Sequence, residues 1–290
     1  MIGGCRFSVF DFRFSLFEGA ILRESAIYAQ PRVINDISDC YFYHTMDVPG
    51  HGHVEGEWDL RGKESQYLGG VALKGKRVLE IGTASGFLCF YMEKQGAQVV
   101  AYDLSQAQDW DMVPYARLGE ERYGESVRER KDRIRRLNNG FWLAHRANGS
   151  QAKVVYGSVY EIPEEIGEVD ISVFASVLLH VRDPFLALQK AARLTRETIV
   201  VTEASSRRIR YFSWAMRRFG FRMPLMAFAP NFTTCEPTET WWSLSPSLVK
   251  SFLGVLGFEK AKVSYSTYPY GRGKRENYTV VARRTRSRCD

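Results

Sequence analysis

The sequence predicts a doubly wound α/β fold, and three observations carry that expectation. Short Val- and Ile-rich runs alternate with helix-like stretches from Lys76 onward, a glycine-containing turn follows the first run, and an acid closes the second. Runs that are apolar on both faces are those of parallel strands covered by helices on either side. The strand candidates are Arg77 to Ile81, Gln98 to Asp103, Lys153 to Gly157, Val169 to Ala175 and Thr198 to Glu203. Helices are expected at Gly86 to Gln95, Ser126 to Arg146 and Pro184 to Arg193. The last has Asp183 placed to cap it and Pro184 at its first position, where a missing N–H costs nothing; Phe185, Leu188 and Ala192 share one face. Near the C-terminus Ser245-Pro246 opens a helix to Leu256, Gly257 closes it, and strands are expected at Phe258 to Ser264 and Tyr278 to Ala282.

A chain of 290 residues suffices for one large core with additions, and 45% hydrophobic with 25% charged residues excludes disordered and fibrous classes. The longest apolar stretch, Ile171 to Val181, is broken by Ser172 and Ser176 and falls short of the roughly 18 residues of a membrane span. Met1 to Phe12 has no basic segment followed by an apolar run, so a cytoplasmic protein without a secretory leader is expected. Cys5, Cys40, Cys89, Cys235 and Cys289 are scattered with no Cys-x-x-Cys pair, which predicts reduced thiols rather than disulfides or a zinc site. The net charge of +7 is concentrated in Arg128 to Arg136, Arg207 to Arg222 and Arg283 to Arg288. Such an excess suits an anionic partner such as RNA, an acidic metabolite or a membrane surface, but charge runs mostly decorate solvated faces. Arg130, Arg133 and Arg136 are accordingly read as a solvated helix face.

The first strand-to-helix turn reads Val78-Leu79-Glu80-Ile81-Gly82-Thr83-Ala84-Ser85-Gly86-Phe87, and the second strand ends in Ala101-Tyr102-Asp103-Leu104. Small residues at Gly82, Ala84 and Gly86 let the backbone approach a ligand, and an acid at the tip of the next strand can accept both hydroxyls of a ribose. The pairing predicts a nucleoside cofactor. It is not an NAD fingerprint, because G-T-A-S-G does not supply G-x-G-x-x-G.

This turn resembles motif I of the class I S-adenosylmethionine-dependent methyltransferases, roughly (D/E)-x-G-x-G-x-G, with Glu80 at the acidic position and Ala84 in place of the middle glycine. The resemblance covers about residues 76 to 204 and the C-terminal strand pair. It implies a Rossmann-like seven-stranded methyltransferase sheet whose last strand is antiparallel, and S-adenosyl-L-methionine as cofactor. The cofactor-binding residues it implies are Glu80, Gly82, Thr83, Ser85, Gly86, Asp103 and Leu104, with Ser158 and Val159 after strand three and Ser176 after strand four. Where the family often has an adenine-contacting Asp, this chain reads Gly157-Ser158-Val159. Trp58-Asp59-Leu60-Arg61 and the Ser-Pro helix are similar to tRNA wobble-uridine carboxymethyl-transferring enzymes and their bacterial relatives, which implies that Trp58 and Arg61 help close the cofactor pocket.

On this reading residues 1–74 form an N-terminal segment covering the active site and 75–204 the cofactor-binding core. Residues 205–244 form a cap insertion, and 245–290 the C-terminal helix and strand pair. His180, just past strand four at the carboxyl edge of the sheet, is the candidate catalytic base. His44, Asp47, His51, His53, Glu55 and Glu57 meet no fixed ligand spacing, so no metal site is expected and a polar loop over the cofactor is. The aromatics Tyr211, Phe212, Trp214, Phe219, Phe221, Phe228, Phe232, Trp241 and Trp242 are expected to pack as core and lid. The acceptor is expected to be a small molecule methylated on O, N or S, since no RNA-binding module is visible; tRNA is the alternative. No membrane partner is expected, and a homodimer is left open.

Overall fold

Alternate residues of the central strands are buried on opposite faces of one seven-stranded sheet, as their two-sided apolar composition demands. The computed structural model describes residues 27–218 and 223–287. The readings placed on Met1 to Phe12, Phe219, Phe221 and Cys289 lie outside the described residues. An N-terminal segment carries a hairpin, β1 (Met46–Val48) and β2 (Gly52–Val54), and a one-turn helix α1 (Glu64–Tyr67). The core follows as β3 (Arg77–Ile81), α2 (Phe87–Lys94), β4 (Gln98–Asp103), α3 (Gly119–Asn148), β5 (Lys153–Tyr156), β6 (Val169–Ala175), α4 (Pro184–Leu194) and β7 (Thr195–Ala204). After it come α5 (Arg207–Arg218), β8 (Met226–Phe228), β9 (Trp242–Leu244), α6 (Pro246–Val255), β10 (Lys260–Tyr270) and β11 (Gly273–Arg283).

The sheet order is β10-β11-β7-β6-β3-β4-β5. The five strands from β7 to β5 are parallel, and β11 runs antiparallel to both its neighbours. Val78, Val99, Val154, Val173 and Val200 face α2, α3 and the N-terminal segment. Leu79, Val100, Val155, Phe174 and Val201 face α4 and α6. The strand order reverses between β3 and β6, which opens a crevice at the carboxyl ends of those strands.

Local chemistry sets several boundaries where the sequence predicts them. Strands β3, β4 and β6 have the expected ends. Asp183 accepts from the Leu186 N–H ahead of Pro184, and Ser245 Oγ accepts from the Leu248 N–H ahead of Pro246. Strand β7 starts three residues before its predicted start, at Thr195, and two further elements run well past their predicted bounds. Helix α3 has 30 residues and begins at Gly119, because the Glu- and Arg-rich run around Gly119 and Gly124 outweighs their poor propensity. The terminal hairpin extends through Tyr265 to Asn277, where no apolar alternation marks a strand. Its tip is held instead by the N-terminal segment: Gly271 donates to the Glu57 carbonyl at 2.8 Å and Asp59 donates to the Pro269 carbonyl at 3.2 Å.

The same segment docks on α3. Tyr41 N–H donates to the Arg136 carbonyl at 2.9 Å, and Asn139 Nδ2 donates to the Asp39 carbonyl at 3.1 Å. A Cβ added at Gly140 would lie 2.7 Å from the Tyr41 carbonyl oxygen. Helix propensity alone makes Gly140→Ala stabilising by about 1 kcal/mol. Overpacking against backbone reverses the sign, and we expect a loss of about 1–3 kcal/mol, read as a Tm lowered by several degrees in thermal unfolding. An unchanged or raised Tm contradicts this docking.

Candidate functional site

The turn between β3 and α2 is shaped by its small residues. Gly82 has φ of +77°, and a Cβ there would meet Val177 Cγ2 at 2.6 Å, so only glycine both reaches the left-handed region and lets β6's following loop lie against it. Ala84 and Ser176 also have positive φ, 50° and 58°, uncommon for residues with a Cβ, and they sit on the two loops that face each other across the crevice; Cys235, at 55°, is the other such residue among those described. Asp103 fastens the turn. Its Oδ2 accepts the Ala84 N–H at 2.6 Å and its Oδ1 accepts the Leu104 N–H at 2.7 Å. Burial pushes its carboxyl up to about 6, against those two bonds.

Above the turn lies a cavity of about 390 Å³, within the range of small-molecule sites. Of the residues singled out from sequence, Trp58, Gly82, Asp103, Leu104, Ser158, Val159, Ser176 and His180 line it. A larger open groove of about 780 Å³ lies at the opposite edge of the sheet beside Arg77, Gln98 and Lys153, away from these groups.

Glu80, Thr83, Ser85 and Gly86 are not among the lining residues and support the turn from beneath. Thr83 Oγ1 donates to Glu80 Oε2 at 2.7 Å, burial pushes the Glu80 carboxyl up to about 8, and Ser85 Oγ accepts the Tyr43 N–H at 3.2 Å. The expectation that Arg61 closes the pocket is corrected. Its guanidinium is fixed at the surface by Asp59, at 2.9 Å, because the two side chains sit two residues apart on a turn that faces away from the cavity. Of the histidine-rich loop, His44 lines the cavity, stacked 5.4 Å from Phe87, and burial pushes it down to about 4. His51 and His53 lie at the exposed β1–β2 hairpin, and among the described residues no group of three His, Cys, Asp or Glu side chains converges on a metal geometry.

His180 lines the cavity half-buried, its ring 5.9 Å edge-on to Trp110. Its Nδ1 lies 2.6 Å from the Glu239 carbonyl, which can only accept, so Nδ1 carries the proton and Nε2 the lone pair. Burial first, then the cations Arg130, Arg133 and Arg275, push it down to about 4, so the ring is neutral at physiological pH. The loop that carries it is held by Glu203 of β7, which accepts the Leu178 N–H at 2.7 Å and is pushed up to about 8 by burial.

The reading of Arg130 and Arg133 as solvated is overturned. Both line the cavity: Arg130 pairs with Glu239 and lies 5.8 Å over Trp110. Arg133 pairs with Glu57, donates to Tyr41 Oη at 2.8 Å and lies 4.6 Å over the Tyr41 ring. Arg136 donates to the Ser38 and Cys40 carbonyls. A signal for this was present. Arg130 and Arg133 precede Ile134 and Leu137 by one turn on a helical stripe that continues to Phe141, so the spacing that turns Ile134 and Phe141 into the core turns the arginines inward. Arg275 has no comparable sequence cue. It stands on β11 beyond the end of β7, 4.6 Å over the Tyr270 ring and 5.9 Å over Trp58, and among the described residues it pairs with no carboxylate.

A doubly wound sheet with a glycine turn, a ribose-type acid on the next strand and a cavity across the switch point defines a protein that binds a nucleoside-bearing ligand. The chain belongs to the methyltransferase family: residues 53–224 match the model described as a methyltransferase domain. No curated protein sequence matches the chain. Solved structures with similar folds include the N-terminal domain of EvdMO1 in the presence of SAH and D-fucose, at 15% identity and TM-score 0.49, covering 94% of this chain and 97% of that one. Another is the Burkholderia thailandensis 1,6-didemethyltoxoflavin-N1-methyltransferase, at 14% identity and TM-score 0.47, covering 98% and 94%. A third is the magnesium protoporphyrin IX methyltransferase of Synechocystis PCC 6803, at 13% identity and TM-score 0.44, covering 96% and 100%.

The inward placement of Arg133 is testable by stability. Arg133→Met leaves the Glu57 carboxylate to Tyr41 alone and removes the guanidinium from the Tyr41 ring. We expect a loss of about 1 kcal/mol, a Tm lower by about 2–4 °C. A solvated arginine would leave the melting curve where it was.

Proposed function

We propose that the protein transfers the methyl group of S-adenosyl-L-methionine to a small-molecule acceptor bound in the same cavity. The observation that carries this reading is the Asp103 carboxylate, presented at the end of β4 with each oxygen already oriented by one backbone N–H. Its remaining lone pairs suit two ribose hydroxyls. The turn at Gly82 leaves backbone, not side chain, facing the ligand, while Trp58, Leu104, Ser158, Val159 and Ser176 line the same cavity. S-adenosylmethionine supplies an electrophilic methyl on a sulfonium; the protein's task is alignment and exclusion of water.

On the acceptor side, His180 Nε2 is the proton acceptor. With its pKa near 4 it remains neutral and takes a proton only from an acceptor atom whose acidity rises as its bond to carbon forms. Residues 205–244 contribute Glu239 and Thr240 to the cavity wall, which supports assigning that insertion to the acceptor. The small-molecule reading is favoured over tRNA by the inward turn of α3: Arg130 and Arg133, needed on an RNA-binding face, are bonded to Glu239 and Glu57.

Asp103→Ala is expected to weaken S-adenosylhomocysteine binding at least about tenfold, 1.4 kcal/mol, by calorimetry. The ligand's hydroxyls favour the ionised carboxylate, so affinity in the wild type is full above neutral pH and lost as pH falls through about 6. The dissociation constant should rise about tenfold between pH 7 and 5, and Asp103→Asn should abolish that dependence. Affinity independent of both substitution and pH removes Asp103 from the site.

Incubation with methyl-labelled cofactor and either a small-metabolite extract or a tRNA pool separates the acceptor classes. We expect label in the small-molecule fraction, with turnover changing little between about 50 and 200 mM salt. Label confined to tRNA, with a steep loss over that range, replaces this reading with the RNA one.

A further inference from the structure

Seven of the ten exposed large hydrophobic side chains among the described residues fall between Tyr211 and Phe232. They are Tyr211, Phe212 and Trp214 on α5, and Met223, Met226, Phe228 and Phe232 after it. The expectation that these aromatics pack as core and lid therefore fails for Tyr211, Phe212, Trp214, Phe228 and Phe232, which are 71%, 48%, 53%, 59% and 75% exposed. Among the described side chains of α5 only Ile209 is buried. At 100° per residue, Arg207, Tyr211, Trp214 and Arg218 share the side opposite Ile209. Trp214 lies 6.0 Å from Tyr211, and the Arg218 guanidinium lies 5.3 Å over its ring. By contrast Trp241 and Trp242, counted with them from sequence, are anchored by their indole N–H groups to the Asp111 and Arg182 carbonyls.

The charge of this stretch is as one-sided as its exposure. Between Glu203 and Glu236 the sequence carries Arg207, Arg208, Arg210, Arg217, Arg218 and Arg222 and no acid. Arg207, Arg208 and Arg218 are exposed, and Arg210 pairs with Glu276 of β11, which ties α5 to the sheet. Helix α5 begins three residues after Ala204, which lines the cavity, so this surface adjoins the proposed acceptor side.

We propose that α5 and the described residues from Met223 to Phe232 form a docking surface for an anionic lipid bilayer. Tryptophan and tyrosine rings with interleaved arginines match the headgroup level, where an amphipathic ring and a snorkelling guanidinium are both satisfied. Phe212, Phe228, Phe232, Met223 and Met226 reach the acyl boundary, and Arg207, Arg208 and Arg218 take the anionic headgroups. No described helix is long and apolar enough to cross a membrane, so the contact lies in the interface plane. A second copy of the chain would bring the same arginines against each other. An RNA could stack on Tyr211 and Trp214 but has no use for the exposed Met223, Met226, Phe228 and Phe232.

Co-sedimentation of the full chain with vesicles tests this without any methyl acceptor. At roughly 150 mM salt, we expect binding to phosphatidylcholine vesicles containing about 30 mol% phosphatidylglycerol at least about tenfold stronger than to phosphatidylcholine alone. The exposed-ring triple variant Tyr211→Ser, Trp214→Ser, Phe232→Ser and the charge variant Arg207→Gln, Arg208→Gln, Arg218→Gln should each lose about tenfold. Both should keep the wild-type Tm and S-adenosylhomocysteine affinity, since neither touches the cavity. Vesicle binding that survives the ring variant reduces the effect to charge and overturns the proposal. So does absence of vesicle binding, whether accompanied by ring-dependent binding of tRNA or by self-association on gel filtration.

Discussion

The Asp103 carboxylate accepts the Ala84 N–H across the gap between two adjacent strands, and the geometry of the carboxyl edge depends on that bond. Parallel strands leave their last amides and carbonyls unpaired at the edge of the sheet, where loops diverge. A half-buried carboxylate at the tip of β4 takes up the turn after β3 and holds Gly82 and Ala84 in left-handed backbone, a conformation that must be over-determined by its surroundings to persist. The same carboxylate bonds the Leu104 amide, and Asn138 of α3 takes the Leu104 carbonyl at 3.1 Å. Sheet, turn and long helix thus meet at one acid whose outer lone pairs remain for a ligand.

The second constraint is that the far wall of the cavity is borrowed from distant chain. Trp58 forms an isolated bridge with Tyr270, and Glu57 takes the Gly271 N–H, so the N-terminal segment and the overhanging tip of the C-terminal hairpin close the site together. Neither piece is a stable strand alone. Each satisfies the other's backbone, and Arg275 lies flat on the aromatic pair they create. The rear of the site is organised in the same way by Glu203, whose carboxylate on β7 collects the loop that presents His180.

Charge proved informative only once direction was known. Arg130 and Arg133 belong to a basic run, yet their acids, Glu239 and Glu57, lie 109 and 76 residues away in sequence. An arginine paired inside a cavity orients polar groups for an acceptor and excludes water. Arg207, Arg208 and Arg218 of α5, by contrast, are exposed on a helix that also exposes Tyr211 and Trp214, with no acid in the stretch to neutralise them.

The sequence by itself determined the layered sheet, the ends of β3, β4 and β6, the capped starts of α4 and α6, and the pairing of the Gly82 turn with Asp103. These follow from interactions within a few residues, or from a period of two or 3.6 that any backbone must obey. It also named eight residues that line the cavity. Tertiary structure alone decided that Arg61 turns to Asp59 at the surface, that the hairpin runs on to Tyr270 and Gly273, and that Glu239 and Arg275 belong to the site. Those outcomes rest on bonds between segments whose separation along the chain leaves no local pattern, and only the folded chain brings their donors and acceptors within reach.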